Sequence, residues 1–174
     1  LMEISKDYQK KVKKDFFFTE GTIELDEIYF IEKIKKGVED KDNLNFKTNI
    51  NGLMTSWEYF LQDKFFLDII NKFSIYVDNN NELANYRLSA AWGFGLKKGN
   101  FTKIHDHKSC VWSGVLYFND HKQTLDFDEI NVKVKPEKGK FALFSSFLKH
   151  KSSEHFENNT KWGISFNFKE IKTF

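Results

Sequence analysis

The 174-residue sequence predicts a mainly β fold with flanking helices. Three observations carry that expectation. From Tyr86 onward the hydrophobic rhythm shifts to short runs rich in β-branched and aromatic residues, set apart by turn-forming clusters. Seven or eight such runs fit into roughly 85 residues, the spacing of a sandwich or barrel. Before that point, apolar residues recur at helical spacing in two stretches.

Taken in order, Lys6–Lys14 is charged and reads as an exposed arm or a short helix. Phe16, Phe17 and Phe18, then Thr22 to Leu25, read as an opening strand. Asp26 is placed to cap a helix running to about Lys36, with Ile28, Ile31 and Lys35 at helical spacing and Gly37 as its stop. Residues 39–52 are polar and turn-rich, so a loop is expected. Ser56 is placed to cap a second helix, whose stripe includes Trp57, Phe60, Leu61, Phe65, Leu67, Ile69, Ile70 and Phe73. Asp78 to Asn81 would end it. The expected strands follow: Arg87–Lys97, Phe101–His105, Val111–Asn119, a hairpin of Thr124–Phe127 with Asn131–Val134, Phe141–Ser145 after Gly139, and Lys161–Lys169. Residues 1–84 would support a core built from 85–170, all within a single domain, 1–174.

Composition narrows the function classes. Hydrophobic residues at 40% and charged residues at 30% are ordinary for a soluble globular chain, and the 20 Phe point to a Phe-rich core. A net charge of +2 without a clustered basic face argues against nucleic acid as a partner. No apolar stretch approaches the ~20 residues of a membrane span. The first fifteen residues lack the apolar core of a secretory signal. Cys110 is the sole cysteine, so no internal disulfide is expected, which suits a reducing cytoplasm.

The chemistry-bearing residues are histidines. His105 and His107 stand two apart at a strand end, and residues two apart on a strand share a face. Two imidazoles so placed can grip one metal ion. His150 lies 43 residues beyond His107, a distance over which a jelly-roll can bring the chain back to the same mouth. Three ligands on one face with other positions open is the arrangement of non-haem Fe(II) oxygen chemistry. The same pair is equally readable as two surface histidines on a strand. A bulge at 105–107 would instead turn Asp106 toward the metal. His121 and His155 have polar, turn-like neighbours and read as surface residues. Trp92 and Trp112 read as core or pocket wall, and Cys110 as structural.

The run from Trp92 to Asn167 resembles a bacterial and phage family of 2-oxoglutarate/Fe(II)-dependent oxygenases distantly related to prolyl hydroxylases. The resemblance rests on ordered pieces: Trp92; His105-Asp106-His107; Ser113-Gly114-Val115-Leu116-Tyr117; Gly139; Phe144-Ser145-Ser146-Phe147-Leu148-Lys149-His150; and Lys161-Trp162-Gly163-Ile164-Ser165-Phe166-Asn167. It implies a double-stranded β-helix with iron at its mouth, held by His105, His107 and His150. His107 stands where most relatives outside that family carry a carboxylate. The resemblance also implies 2-oxoglutarate as co-substrate. Its distal carboxylate is usually held by an Arg on the last strand, and that position is Lys161 here, with Gly163 where a helper Ser often stands. Lys supplies a point charge rather than a bidentate fork, so Tyr117 is a candidate second partner. Lys161 also reads as an ordinary solvated strand-end lysine.

The expected activity is hydroxylation of a small-molecule or peptide substrate that the sequence does not name, in the cytoplasm of a bacterium or a phage-infected host. Two other readings remain open. One is a cupin-like metal enzyme indifferent to 2-oxoglutarate. The other is a metal-free jelly-roll binding or structural protein.

Overall fold

Alternation along the last strand sets the architecture. In the computed structural model, which describes residues 16–40, 48–77 and 86–171, strand β11 (Lys161–Glu170) lies inside a six-stranded sheet. Trp162, Ile164, Phe166 and Phe168 point to one side of it, where they meet the helices. Lys161, Ser165 and Asn167 point to the other side, into a cavity. This is the period of two that a pleated strand imposes.

The sheet order is β1 (Phe18–Thr22), β9 (Lys140–Ser145), β6 (Trp112–Tyr117), β11, β4 (Tyr86–Leu96) and β3 (Leu53–Met54). A five-stranded sheet faces it, ordered β2 (Ile50–Asn51), β5 (Phe101–His105), β10 (His150–Ser152), β7 (Leu125–Phe127) and β8 (Val132–Val134). Every pairing is antiparallel. The two sheets form the double-stranded β-helix that the sequence led us to expect. Two glycines serve its close approaches. At Gly139, in left-handed backbone (φ 75°), a Cβ would lie 2.1 Å from the Ile23 carbonyl oxygen, so only glycine fits the turn into β9. At Gly114 a Cβ would meet the Phe166 ring at 2.3 Å.

Two apolar clusters sit on either side of the larger sheet. On the outer face, α1 (Glu27–Glu39) and α2 (Lys64–Val77) press Phe30, Ile34, Phe66, Ile69, Ile70 and Phe73 onto Leu116, Phe141, Leu143, Ile164 and Phe166. Phe30 stacks on Phe118 and Phe73 on Phe166. Burying one such ring contributes about 2–3 kcal/mol, so the helices hold the sheet from behind. The inner cluster, between the sheets, includes Phe94, Leu96, Val115, Phe127, Ala142, Phe144 and Leu148. It walls the site.

Several expectations are corrected. Helix α1 does begin after its Asp26 cap, whose side chain accepts from the Tyr29 N–H, but it continues through Gly37 to Glu39. Gly37 is buried against the Tyr59 ring. Helix α2 does not start at Ser56. Residues 57–62 are turns, because the Phe60 N–H donates to the Ala91 carbonyl and the Ala91 N–H to the Trp57 carbonyl. The edge of β4 outcompetes the first helical turns for those backbone groups. The cap is Asp63, whose carboxylate accepts from the Phe66 N–H at 2.8 Å. The opening strand covers Phe18–Thr22 and excludes 23–25. The segment read as a loop ends in a short strand, Ile50–Asn51, while residues 41–47 lie outside the described residues. So do Lys6–Lys14 and Asp78–Asn81.

Candidate metal centre and acid-binding pocket

The ladder between β5 and β10 makes the site. His105 and His150 are cross-strand partners, and their rings approach to 4.4 Å between centroids. His107 lies just past the end of β5. Its N–H donates to the Ser146 carbonyl, and its own carbonyl accepts from the Cys110 N–H. That loop brings its ring to 4.9 Å from His105 and 5.2 Å from His150. One nitrogen from each of the three residues falls within a 4.8 Å group, the only such cluster of metal-ligating side chains among the described residues. Asp106 is outside it. Its carboxylate lies 3.8 Å from the Lys108 ammonium.

The rings are oriented from behind. His105 Nδ1 is 2.7 Å from the Lys103 carbonyl, and His150 Nδ1 is 3.0 Å from the Leu148 carbonyl. A carbonyl only accepts, so each Nδ1 carries the hydrogen and each Nε2 presents a lone pair. Fixing the tautomer through the distal nitrogen is how metal-ligating histidines are normally set. Burial holds all three imidazoles neutral. His105 is lowered by desolvation, against the pull of the Lys103 carbonyl and Asp106. His107 falls to about 4 and His150 to about 3, in both cases by burial first and the neighbouring imidazoles second. Three buried, neutral, convergent nitrogen donors suit a divalent first-row metal such as iron.

The same cavity, about 100 Å³, holds Lys161 and Tyr117. Its apolar wall includes Phe94, Leu96, Val115, Leu125 and Phe144. Lys161 opens β11 opposite Leu96 and is 1% exposed, so it is not a solvated strand-end side chain. Its ammonium donates to the Ser152 hydroxyl at 3.1 Å and the Gln123 carbonyl at 3.3 Å. It also lies 5.8 Å from the Tyr117 ring. Among the described residues no carboxylate lies within ion-pair distance of it. Desolvation therefore dominates and lowers its pKa to about 7, with Asp126 pulling weakly the other way. A buried cation with only neutral partners leaves its charge open to a carboxylate partner. Burial raises the Tyr117 hydroxyl, which stays protonated and able to donate.

Sequence reasoning missed Ser152, Gln123, Ser165 and Asn167 around this cavity. Period-two counting would have found three of them: Ser152 from His150, and Ser165 and Asn167 from Lys161. Asn167 Oδ1 accepts from the Ser113 hydroxyl at 2.7 Å, and that hydroxyl is 2.9 Å from Ser146. His121 and His155, expected at the surface, are 3% and 6% exposed and stack edge-on at 4.4 Å. Their ring nitrogens meet backbone carbonyls, His121 Nε2 that of Asn159 at 3.3 Å and His155 Nε2 that of Leu96 at 3.3 Å.

No protein-family model matches this sequence, and no curated protein does. Solved structures do match its fold. A viral collagen prolyl hydroxylase from Paramecium bursaria Chlorella virus-1, in complex with 2-oxoglutarate, is 15% identical; the match covers 88% of this chain and 96% of the viral one, with a TM-score of 0.66. A prolyl-4-hydroxylase from Pseudomonas putida is 14% identical over 89% of this chain and 93% of its own, again at 0.66. HygX from Streptomyces hygroscopicus, with nickel and 2-oxoglutarate bound, is 10% identical over 90% and 83%, at 0.61. This chain therefore has the double-stranded β-helix fold found in 2-oxoglutarate/Fe(II) oxygenases.

Proposed function

We propose that this protein is a non-haem Fe(II)- and 2-oxoglutarate-dependent oxygenase that hydroxylates a small-molecule or peptide substrate. The observation that carries the reading is the pairing, in one cavity, of three convergent imidazoles with a buried, uncompensated ammonium. His105 and His150 would hold the iron through Nε2, already deprotonated there, with His107 as the third ligand. Lys161 would hold the distal carboxylate of 2-oxoglutarate, with Tyr117 packing beside it. Bound together, iron and 2-oxoglutarate supply the means to oxidise a C–H bond with O₂.

The chain's own contribution is orientation and exclusion of water. The Lys103 and Leu148 carbonyls fix two of the rings. The Ser152 hydroxyl and Gln123 carbonyl aim the ammonium into the cavity. Phe94, Phe144 and Leu125 keep the space between metal and ammonium apolar, which strengthens both electrostatic contacts. Three neutral ligands leave both positive charges on a divalent ion. That favours an anionic chelator more than a two-His-one-carboxylate set would.

The test is anaerobic. Fe(II) is added to the purified protein, then 2-oxoglutarate, and the visible charge-transfer absorption of the chelate is followed. The expected result is a band that grows to one equivalent and is absent in Lys161→Met. Stoichiometric iron without the band would favour a cupin-like enzyme that does not use 2-oxoglutarate. Failure to retain iron would reject the metal centre altogether.

A further inference from the structure

The two histidines outside the metal centre bracket the partners of Lys161. His121 lies on the segment between β6 and β7, and His155 on the segment between β10 and β11. The His121 ring has a defined hydrogen-bond pattern. Its Nδ1 accepts from the Gln123 backbone N–H at 3.0 Å. Its Nε2 lies 3.3 Å from the Asn159 carbonyl and 3.4 Å from a Glu157 carboxylate oxygen. Only a neutral ring with its hydrogen on Nε2 satisfies both ends. Gln123 passes the constraint on. Its side-chain amide donates to the Asn100 and Ser153 carbonyls, at 3.1 and 2.5 Å, and its backbone carbonyl accepts from the Lys161 ammonium.

We propose that His121 is a positioning residue for Lys161: its neutral ring holds Gln123 where the Gln123 carbonyl aims the Lys161 ammonium, and protonation of the ring releases that hold. The proposal rests on the reading of Lys161 as the anchor of the 2-oxoglutarate carboxylate. A protonated ring carries hydrogen on both nitrogens, so Nδ1–H would face the Gln123 N–H, donor against donor. The titratable and charged groups around the ring are His155 at 4.4 Å, Glu157, the Lys122 ammonium 3.6 Å from Glu157, and Lys161 itself. Burial and the His155 ring oppose the charge, and Lys161 adds to them. The Asn159 carbonyl and Glu157 favour it, but the balance lies below the usual imidazole value. Release therefore belongs to mildly acid solution. Lys161 gains charge in that same direction, which would tighten carboxylate binding, so a loss of affinity in acid cannot come from Lys161.

The experiment measures 2-oxoglutarate affinity from pH 7.5 to 5.5, anaerobically and in excess Fe(II), from the charge-transfer band. Toward acid, wild-type affinity should fall about fivefold behind that of a variant whose residue 121 does not titrate, the equivalent of one hydrogen bond. His121→Asn offers a side-chain oxygen to the Gln123 N–H and does not titrate, so it should bind as the wild type does at pH 7.5 and lose the acid limb, its affinity rising toward acid as Lys161 gains charge. Glu157→Gln, a change at a half-buried position, should move the limb to lower pH. An acid limb of unchanged size and position in both variants would overturn the proposal. A second readout uses no co-substrate: the ¹³Cε resonance of Lys161 should report the His121 transition in the wild type and not in His121→Asn. If the resonance does so while 2-oxoglutarate fails to bind, the positioning stands and the oxygenase reading falls. If it ignores His121, the positioning is overturned.

Discussion

His105 and His150 face each other across one antiparallel ladder, as direct Cα partners whose rings approach to 4.4 Å. Strand pairing thus places two imidazoles on one point before any metal arrives. His107 is different, because it reaches that point from a loop tied to Ser146. The distinction predicts unequal effects of substitution. Loss of a supporting hydrogen bond typically costs 10–100-fold in metal affinity, so removing a ligand should cost roughly 100-fold or more. His150→Ala should weaken Fe(II) binding by at least that much. His107→Asp should retain the metal, because two histidines and one carboxylate form a competent ligand set for Fe(II). Equilibrium titration with Fe(II) under nitrogen, or with Co(II) as a spectroscopic stand-in, distinguishes the two.

The metal-free protein should lose stability in mild acid. His107 and His150 have folded-state pKa values of about 4 and about 3, below the ordinary imidazole value near 6.5. The unfolded chain therefore binds more protons between those limits, and stability falls as pH falls through them. At pH 5 each of these two groups should cost about 2 kcal/mol relative to pH 7. Urea unfolding at the two pH values measures this. Saturating divalent metal, which keeps the rings deprotonated, should restore most of the loss. Equal unfolding midpoints for the metal-free protein at pH 7 and pH 5 would contradict the neutral, buried triad.

Asp63 joins the two helices that back the sheet. Its carboxylate caps α2 through the Phe66 N–H, accepts the Tyr29 hydroxyl at 2.6 Å, and pairs with the Lys33 ammonium. Burial alone would raise this carboxyl, but the bonds from Lys33, Tyr29 and Phe66 outweigh it and hold it low. Its contribution is present above the usual Asp pKa and lost as pH falls through the folded value. Asp63→Ala should destabilise by about 2–4 kcal/mol, a lost cap plus unpaired partners. Asp63→Asn should keep the cap and lose less. Thermal unfolding of the two variants at pH 7 checks the ranking. The metal affinity of any folded protein should be unaffected, because neither helix touches the triad.

How far the sequence could be read follows from which forces act locally. Strands β4, β6 and β11 were legible because each alternates between two buried faces, with Phe166 and Phe168 outward and Ser165 and Asn167 inward. The His105 and His107 pair was legible from its spacing, although His107 lies past the end of β5, in a loop tied to Ser146, rather than on the strand. The start of α2 was not. Trp57, Phe60 and Leu61 match a helical stripe, yet the Trp57 and Phe60 backbone pairs with Ala91, more than thirty residues away in sequence, and only the folded chain shows that competitor. Strands β2, β3 and β10 are two or three residues long, too short to carry a period. His121 and His155 sit among polar neighbours that mask their burial, because what buries them is the packing of two loops against each other.

Binding of the co-substrate should change the protonation of Lys161. Its ammonium is held by a hydroxyl and a carbonyl, both neutral, and desolvation lowers its pKa to about 7. At pH 8 most molecules should therefore carry a neutral amine there. A carboxylate arriving beside it restores the ordinary preference for the charged form, so its pKa rises and the group takes up a proton. Binding of 2-oxoglutarate to the iron-loaded protein at pH 8 should thus absorb about one proton per site, and much less at pH 6, where the amine is already charged. Calorimetric titration in two buffers of different ionisation enthalpy measures that number directly. Lys161→Arg, which stays charged throughout, should bind without proton uptake, while Lys161→Met should lose affinity about 100-fold or more, the cost of leaving a buried carboxylate unpaired. Proton uptake that is the same at pH 6 and pH 8, or that persists in the Arg variant, would mean that the co-substrate's charge is met by a group other than Lys161.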